Sequence, residues 1–254
     1  RAFARSPFRR FIVIFLGVSL ASSVARAFTI VYSREVYAQG DGLVTLFTVF
    51  GGLGALAMGL VTRLLVDRVG AKPLYITYTA LAAFSLLPAV YAPGAAAAYG
   101  AAGAIGAGTV LFLAYLHFAV NFGFAGAEGV AQNYFFGLIK PQDILDLGIL
   151  YYIVYGAAGA AGSFFAGLLL DGFSTMGLTP LVSYRILFSL LAVVLAVVLF
   201  LQRKLMRLGA LPLRGALGVI FSFRDLRAIT LLDRLDKTKN AREEEELLGA
   251  LQEL

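Results

Sequence analysis

The sequence predicts an all-α, polytopic membrane protein with six transmembrane helices. Three observations predict it. Of 254 residues, 60% are hydrophobic and 14% charged, against about 25% charged in a soluble domain, so there are too few charges to cover a soluble surface. The apolar residues come in long uncharged blocks, Ile12 to Ala25, Pro73 to Leu116 and Ile186 to Leu201. A span needs about 20 mostly apolar residues, because lipid offers no water and a helix satisfies its own backbone. The basic residues gather at the ends of these blocks, which marks a topology.

The spans are expected over Phe11–Ser33, Leu43–Val66, Lys72–Tyr91, Gly106–Leu138, Ile144–Leu170 and Ser183–Leu201. Arg9, Arg10 and the run after them look like a signal peptide, but the run passes Val31 without a small-residue cleavage site, so it reads as a first span. Ala92–Gly106, an Ala/Gly run with Pro93, reads as a loop or as the outer end of the fourth helix; Pro93-Gly94 leaves too little room for a seventh span. Three domains follow: a basic linker over 1–10, the transmembrane domain over 11–202 and a cytoplasmic tail over 203–254.

With the N-terminus inside, the inner flanks carry eleven cations: Arg1, Arg5, Arg9, Arg10, Arg63, Arg68, Lys72, Lys140, Arg203, Lys204 and Arg207. The outer flanks carry two, Arg34 and Arg185. This bias places both termini in the cytoplasm and the protein in a cell or inner membrane. Trp is absent, so Tyr32, Tyr37, Tyr91 and Tyr184 are expected to form any aromatic belt. Cysteine is absent too, which excludes disulfides, thiolate metal sites and Cys nucleophiles. The net charge of +6 sits at span ends and suggests no nucleic-acid role. A membrane-embedded enzyme lacks support, with one His and no paired intramembrane carboxylates; no catalytic residue, metal site or cofactor is expected.

In the tail, Ser222 and Asp225 have capping-box spacing ahead of Leu226, Ile229, Leu232 and Leu235. Asn240 is a second cap, before Glu243-Glu244-Glu245-Glu246 and a stripe of Leu247, Leu248 and Leu251. Two short amphipathic helices are expected, serving packing and solvation or binding a partner.

A charge inside a span costs at least about 2.5–3.5 kcal/mol, so it faces a cavity or a partner. On the first helix, Ser19, Ser22, Arg26, Thr29 and Ser33 step by three, four, three and four, which is one helix face. On the fourth, His117, Asn121, Glu128 and Gln132 step by four, seven and four, again one face. Two polar stripes suggest an aqueous pathway between these helices. Arg26 and Glu128 would alternatively neutralise one another, and the hydroxyls would bond their own backbone. Small residues at Gly51, Ala55 and Gly59, and at Gly159, Ser163 and Gly167, are expected at close helix contacts.

Between the second and third helices stands Asp67-Arg68-Val69-Gly70-Ala71-Lys72-Pro73. It resembles the cytoplasmic Gly-x-x-x-Asp-Arg-x-Gly-Arg-Lys signature of the major facilitator superfamily. Asp67, Arg68, Gly70 and Lys72 match, while Arg63 replaces the leading Gly and Ala71 a basic residue. Gly123 to Pro141, with Gln132-Asn133-Tyr134-Phe135, looks like the tenth helix of such transporters, and Leu168-Leu169-Leu170-Asp171-Gly172-Phe173 like the end of the eleventh. The resemblance covers Phe11 to Leu201 and leaves out the tail.

It implies one half of a major-facilitator bundle, helices seven to twelve, partnered in the bilayer by an N-terminal six-helix half from the same gene or a second copy. It implies a secondary transporter of a small solute by alternating access, with the first and fourth helices lining the cavity. Arg26, Glu128, His117, Asn121, Gln132, Ser22 and Thr29 become the candidate substrate or ion site, Glu128 taking a proton or cation and Arg26 an anionic group. Asp67, Arg68, Gly70 and Lys72 become a conformational gating loop. Asp67 would face the helix starting near Asp143, with Arg68 and Lys72 at the anionic leaflet. A non-transporting sensor or scaffold, whose tail binds a cytoplasmic partner, is the alternative.

Overall fold

The structure, a computed structural model, describes residues 6–92 and 106–206 and the single position 231. Its six long helices are α1 (Ser6–Glu35), α2 (Asp41–Val69), α3 (Ala71–Tyr91), α4 (Ala107–Leu138), α5 (Ile144–Thr175) and α6 (Pro180–Gln202), with one 3-10 turn at Pro141–Asp143 before α5. No strand occurs among the described residues. All six helices are long and apolar enough to cross a membrane. The shortest, α3, has 21 residues and is about 31 Å long at 1.5 Å per residue, which matches a hydrocarbon core of about 30 Å.

Five of the six helices run beyond their expected bounds. Apolar runs stop at the first charge, whereas helical hydrogen bonds continue through polar ends. Thus Ser6–Arg10 belong to α1 rather than to a linker, and Asp171–Thr175 extend α5. The expectations for the Ala92–Gly106 connection fall on residues 93–105, outside the described residues. The two helices expected in the tail likewise lie outside the described residues, position 231 apart.

The connection between α2 and α3 is shorter than the expected loop. Asp67 and Arg68 lie in the last turn of α2 and Lys72 in the first turn of α3, so the connection is Gly70 alone. Gly70 has φ 93°, where a side chain is strained, and its N–H reaches the Val66 carbonyl at 3.1 Å. Pro73 fits in the first turn of α3 because the amide it lacks would have no helical partner there.

α4 packs broadly on α2 and α3 and also meets α1, which packs on α5 and α6; α3 and α6 pack on each other. Small residues permit these approaches, but not in the expected register. A methyl on Gly51 would meet the Asn121 side chain, and one on Gly54 the Phe118 carbonyl. On α5, Gly162 carries the contact with Leu20, Ser23 and Val24 of α1. Gly59 and Gly167 face open space. Gly51 and Gly54 thus both approach α4 closely and Gly162 approaches α1, while Gly159 makes only an ordinary contact with Ser23 at 3.8 Å.

The core has two parts. One joins Phe11, Phe15 and Val18 of α1 to Ala127, Tyr134 and Phe135 of α4 and Tyr151 of α5. The other joins Ala21, Ala25 and Tyr32 of α1 to Leu116, Val120 and Phe124 of α4 and Phe188 of α6. The expected aromatic belt is corrected by the second part. Tyr32, Tyr37 and Tyr184 are fully buried, with Tyr32 5.3 Å from Tyr37 and 5.5 Å from Tyr184. Only Tyr91 of the four is exposed. Burial pushes the Tyr37 hydroxyl above its usual pKa, so it stays a neutral hydrogen-bonding group beside Tyr32.

Candidate functional site

Where the two core parts meet, the chain places a charged pair. Arg26 Nη2 of α1 lies 3.0 Å from Glu128 Oε2 of α4. One turn earlier on α1, Ser22 Oγ donates to Glu128 Oε1 at 2.6 Å. Tyr155 of α5 donates to the same oxygen at 3.4 Å. Three helices thus converge on one carboxylate. The Arg26 side chain is 30% exposed and that of Glu128 17%, so the pair opens on one side rather than being sealed.

Helical spacing explains the convergence. Ser22 and Arg26 are four residues apart, so both point to one neighbour. Ser22 lies near the middle of α1, and the long Arg26 side chain reaches back one turn to the same level. Two buried polar atoms nearby have no partner among the described residues, Arg26 Nε and Ser19 Oγ. Such atoms cost about 1–3 kcal/mol each unless water or a ligand satisfies them.

The other candidates sit elsewhere. His117 is buried, with Nε2 3.1 Å from Ser33 Oγ and its ring 5.6 Å from that of Phe47. Asn121 bonds its own helix, donating to the His117 carbonyl at 3.0 Å, and packs on Gly51. Thr29 donates to the Ala25 carbonyl at 2.6 Å. Gln132 is exposed and donates to the Tyr152 hydroxyl at 3.4 Å. The structure therefore joins Ser22, Arg26 and Glu128, and leaves His117, Asn121, Thr29 and Gln132 outside that cluster.

Tyr155 was missed by sequence reasoning. Its signal was available: Tyr151 and Tyr155 are four residues apart, on one face of a span. Tyr151 stacks on Phe15 at 4.2 Å, and Tyr155 lies 6.2 Å from the same ring. The aromatic stack aims the Tyr155 hydroxyl at Glu128. Ser23, also unpredicted, donates to the Gly159 carbonyl at 3.3 Å and ties α1 to α5 beside the site.

The residues of the expected gating loop part company. Asp67 lines a cleft of about 390 Å3 between α2 and α4, with Thr62, Arg63, Gln132 and Asn133. Its carboxylate makes no hydrogen bond or ion pair among the described residues. Lys72 is a clamp: its Nζ donates to the carbonyls of Arg203 at 2.9 Å and Leu205 at 2.6 Å, just past the end of α6. A cation there satisfies orphan carbonyls and opposes the negative end of the helix dipole. Nearby, Gln202 donates to Thr79 at 2.8 Å and Tyr134 to the Met206 carbonyl at 2.9 Å.

Among the described residues no group of three His, Asp or Glu is placed to hold a metal ion. Comparison with known proteins gives no match to a family model, to a curated protein or to a solved structure.

Proposed function

We propose that the chain is one six-helix half of a secondary transporter of the major-facilitator type, spanning the bilayer and moving a small solute by alternating access. The observation that carries this reading is the Arg26–Glu128 pair, reached by Ser22 and Tyr155 within the span of three helices. A desolvated ion pair is poor at stabilising a fold compared with apolar packing, and charges at this depth generally mark substrate or ion pathways. The unpartnered Arg26 Nε and Ser19 Oγ supply further polar capacity.

The proposed cycle uses competition for Arg26. An anionic solute group takes the guanidinium, Glu128 is left without its counter-charge, and a proton or cation compensates it. Tyr155 and Ser22 hold the carboxylate in place meanwhile. Binding would thus couple solute to cation at one site near the midplane, between this half and its partner.

The test is solute uptake in proteoliposomes holding the chain with its partner half, across a pH series. Glu128→Gln is expected to flatten the pH profile and Arg26→Ala to abolish uptake of anionic solutes. An unchanged rate and profile in Glu128→Gln would make the pair structural and overturn the coupling.

A further inference from the structure

A groove of about 380 Å3 separates the start of α1 from the end of α6, lined by Arg9, Arg10, Val13, Ile14, Leu201 and Lys204. Its rim is cationic: Arg9, Arg10 and Lys204 are exposed, and none is ion-paired among the described residues. Its wall is apolar and lies deeper. Val13 is one turn beyond Arg9 and Arg10, and Leu201 is three residues before Lys204, which puts the wall about 5 Å further along the bundle. Val13 is 60% exposed, and so is the adjoining Phe200 at 57%. The Lys204 ammonium lies 5.7 Å from the Phe200 ring centre, so this aromatic marks the same boundary between charge and apolar surface.

We propose that this groove binds the headgroup phosphate of an anionic phospholipid. Arg9, Arg10 and Lys204 contact the phosphate, and the acyl chains run along Val13, Leu201 and the adjoining Phe200. Three exposed cations without an ion-pair partner among the described residues favour an anion at this rim, and a free anion would leave the apolar wall unused. A phospholipid matches both surfaces in the order in which they occur along the helices. Two arginines on neighbouring residues present forked donors suited to phosphate oxygens. The inference rests on reading the six helices as membrane spans, and does not depend on transport.

The test uses the full chain in phosphatidylcholine vesicles with and without phosphatidylglycerol. Bound phosphatidylglycerol is titrated by native mass spectrometry after gentle extraction, and circular dichroism checks that each variant keeps its helices. Near a membrane each basic residue contributes about a five-fold factor. Arg9→Gln with Arg10→Gln is therefore expected to weaken retention about ten-fold or more, and Arg9→Lys with Arg10→Lys to keep most of it. Arg63→Gln with Lys140→Gln removes equal charge outside the groove and should lower retention clearly less than the two groove changes do.

Equal loss in that control would reduce the effect to diffuse surface charge and overturn the site. Displacement of the lipid by inorganic phosphate at millimolar level would make it a simple anion site, against the proposal. If changing Glu243, Glu244, Glu245 and Glu246 to Gln raises retention as much as the arginine changes lower it, the chain's own acidic run is the occupant and the lipid is not. Failure of the parent chain to enter phosphatidylcholine vesicles would overturn the membrane reading and this site with it.

Discussion

Glu128 accepts from Ser22 and Tyr155 and pairs with Arg26, and removing one member differs from removing two. Arg26→Ala strands a carboxylate with two hydroxyl donors; a buried pair broken this way costs about 3–5 kcal/mol, and partial exposure lowers the figure here to about 1–2 kcal/mol. Arg26→Met with Glu128→Gln leaves no unpaired charge and is expected to unfold at a higher temperature than Arg26→Ala alone. Thermal unfolding in detergent checks the order; the reverse order would mean the pair stabilises the fold outright. Tyr155→Phe keeps the ring beside Phe15 and loses a bond of 3.4 Å. A bond that long supports a loss below about 1 kcal/mol.

Between helices, the decisive contacts are backbone approaches and one clamp. A methyl on Gly123 would lie 2.7 Å from Ala82 Cα, an atom that cannot move without shifting α3. Gly123→Ala is expected to cost about 1–3 kcal/mol in unfolding. Gly167→Ala, which meets nothing within 4 Å, should be neutral or stabilising by up to about 1 kcal/mol through helix propensity. Equal effects at both positions would show that propensity rather than packing governs the helices. Lys72→Met removes both bonds past the end of α6. Leu205 is buried at 5% exposure beneath that clamp. A cysteine at 205 should label several-fold faster in Lys72→Met than in the parent chain; unchanged labelling would show that Lys72 does not hold this end.

For the molecule as a whole, six antiparallel crossings would put the start of α1 and the end of α6 on one side of the membrane. Reporters placed after Gln202 and within residues 93–105 are expected on opposite sides, the first cytoplasmic, as the cation bias requires. Both on the same side would end the six-span reading. α3 and α6 pack on each other, while α5 and α2 are the least buried of the six helices. In a paired transporter, cysteines replacing Leu56 on α2 and Ile153 on α5, both exposed, should cross-link to the partner half. Cysteines replacing Phe84 on α3 and Val193 on α6 should face lipid and fail to do so.

The helices themselves were legible residue by residue. Length, apolarity and charge at block ends are local properties, and a hydrophobic run must become a helix wherever water is missing. The pairing of Arg26 with Glu128 was half legible, because helical periodicity places each residue on a face but not opposite a particular neighbour. Four-residue spacing put Ser22 beside Arg26, and His117 meets Ser33 on the same stripe of α1, whereas Asn121 turns to Gly51 of α2. A stripe about 60° wide on one helix meets two different neighbours once helices cross at an angle. Lys72 makes the same point: its sequence neighbours suggested a charged loop, but its partners stand more than 130 residues away, at Arg203 and Leu205. Periodicity depends on the nearest turns of the chain. Which faces meet depends on the volumes packed between helices, and that is settled by the whole bundle at once.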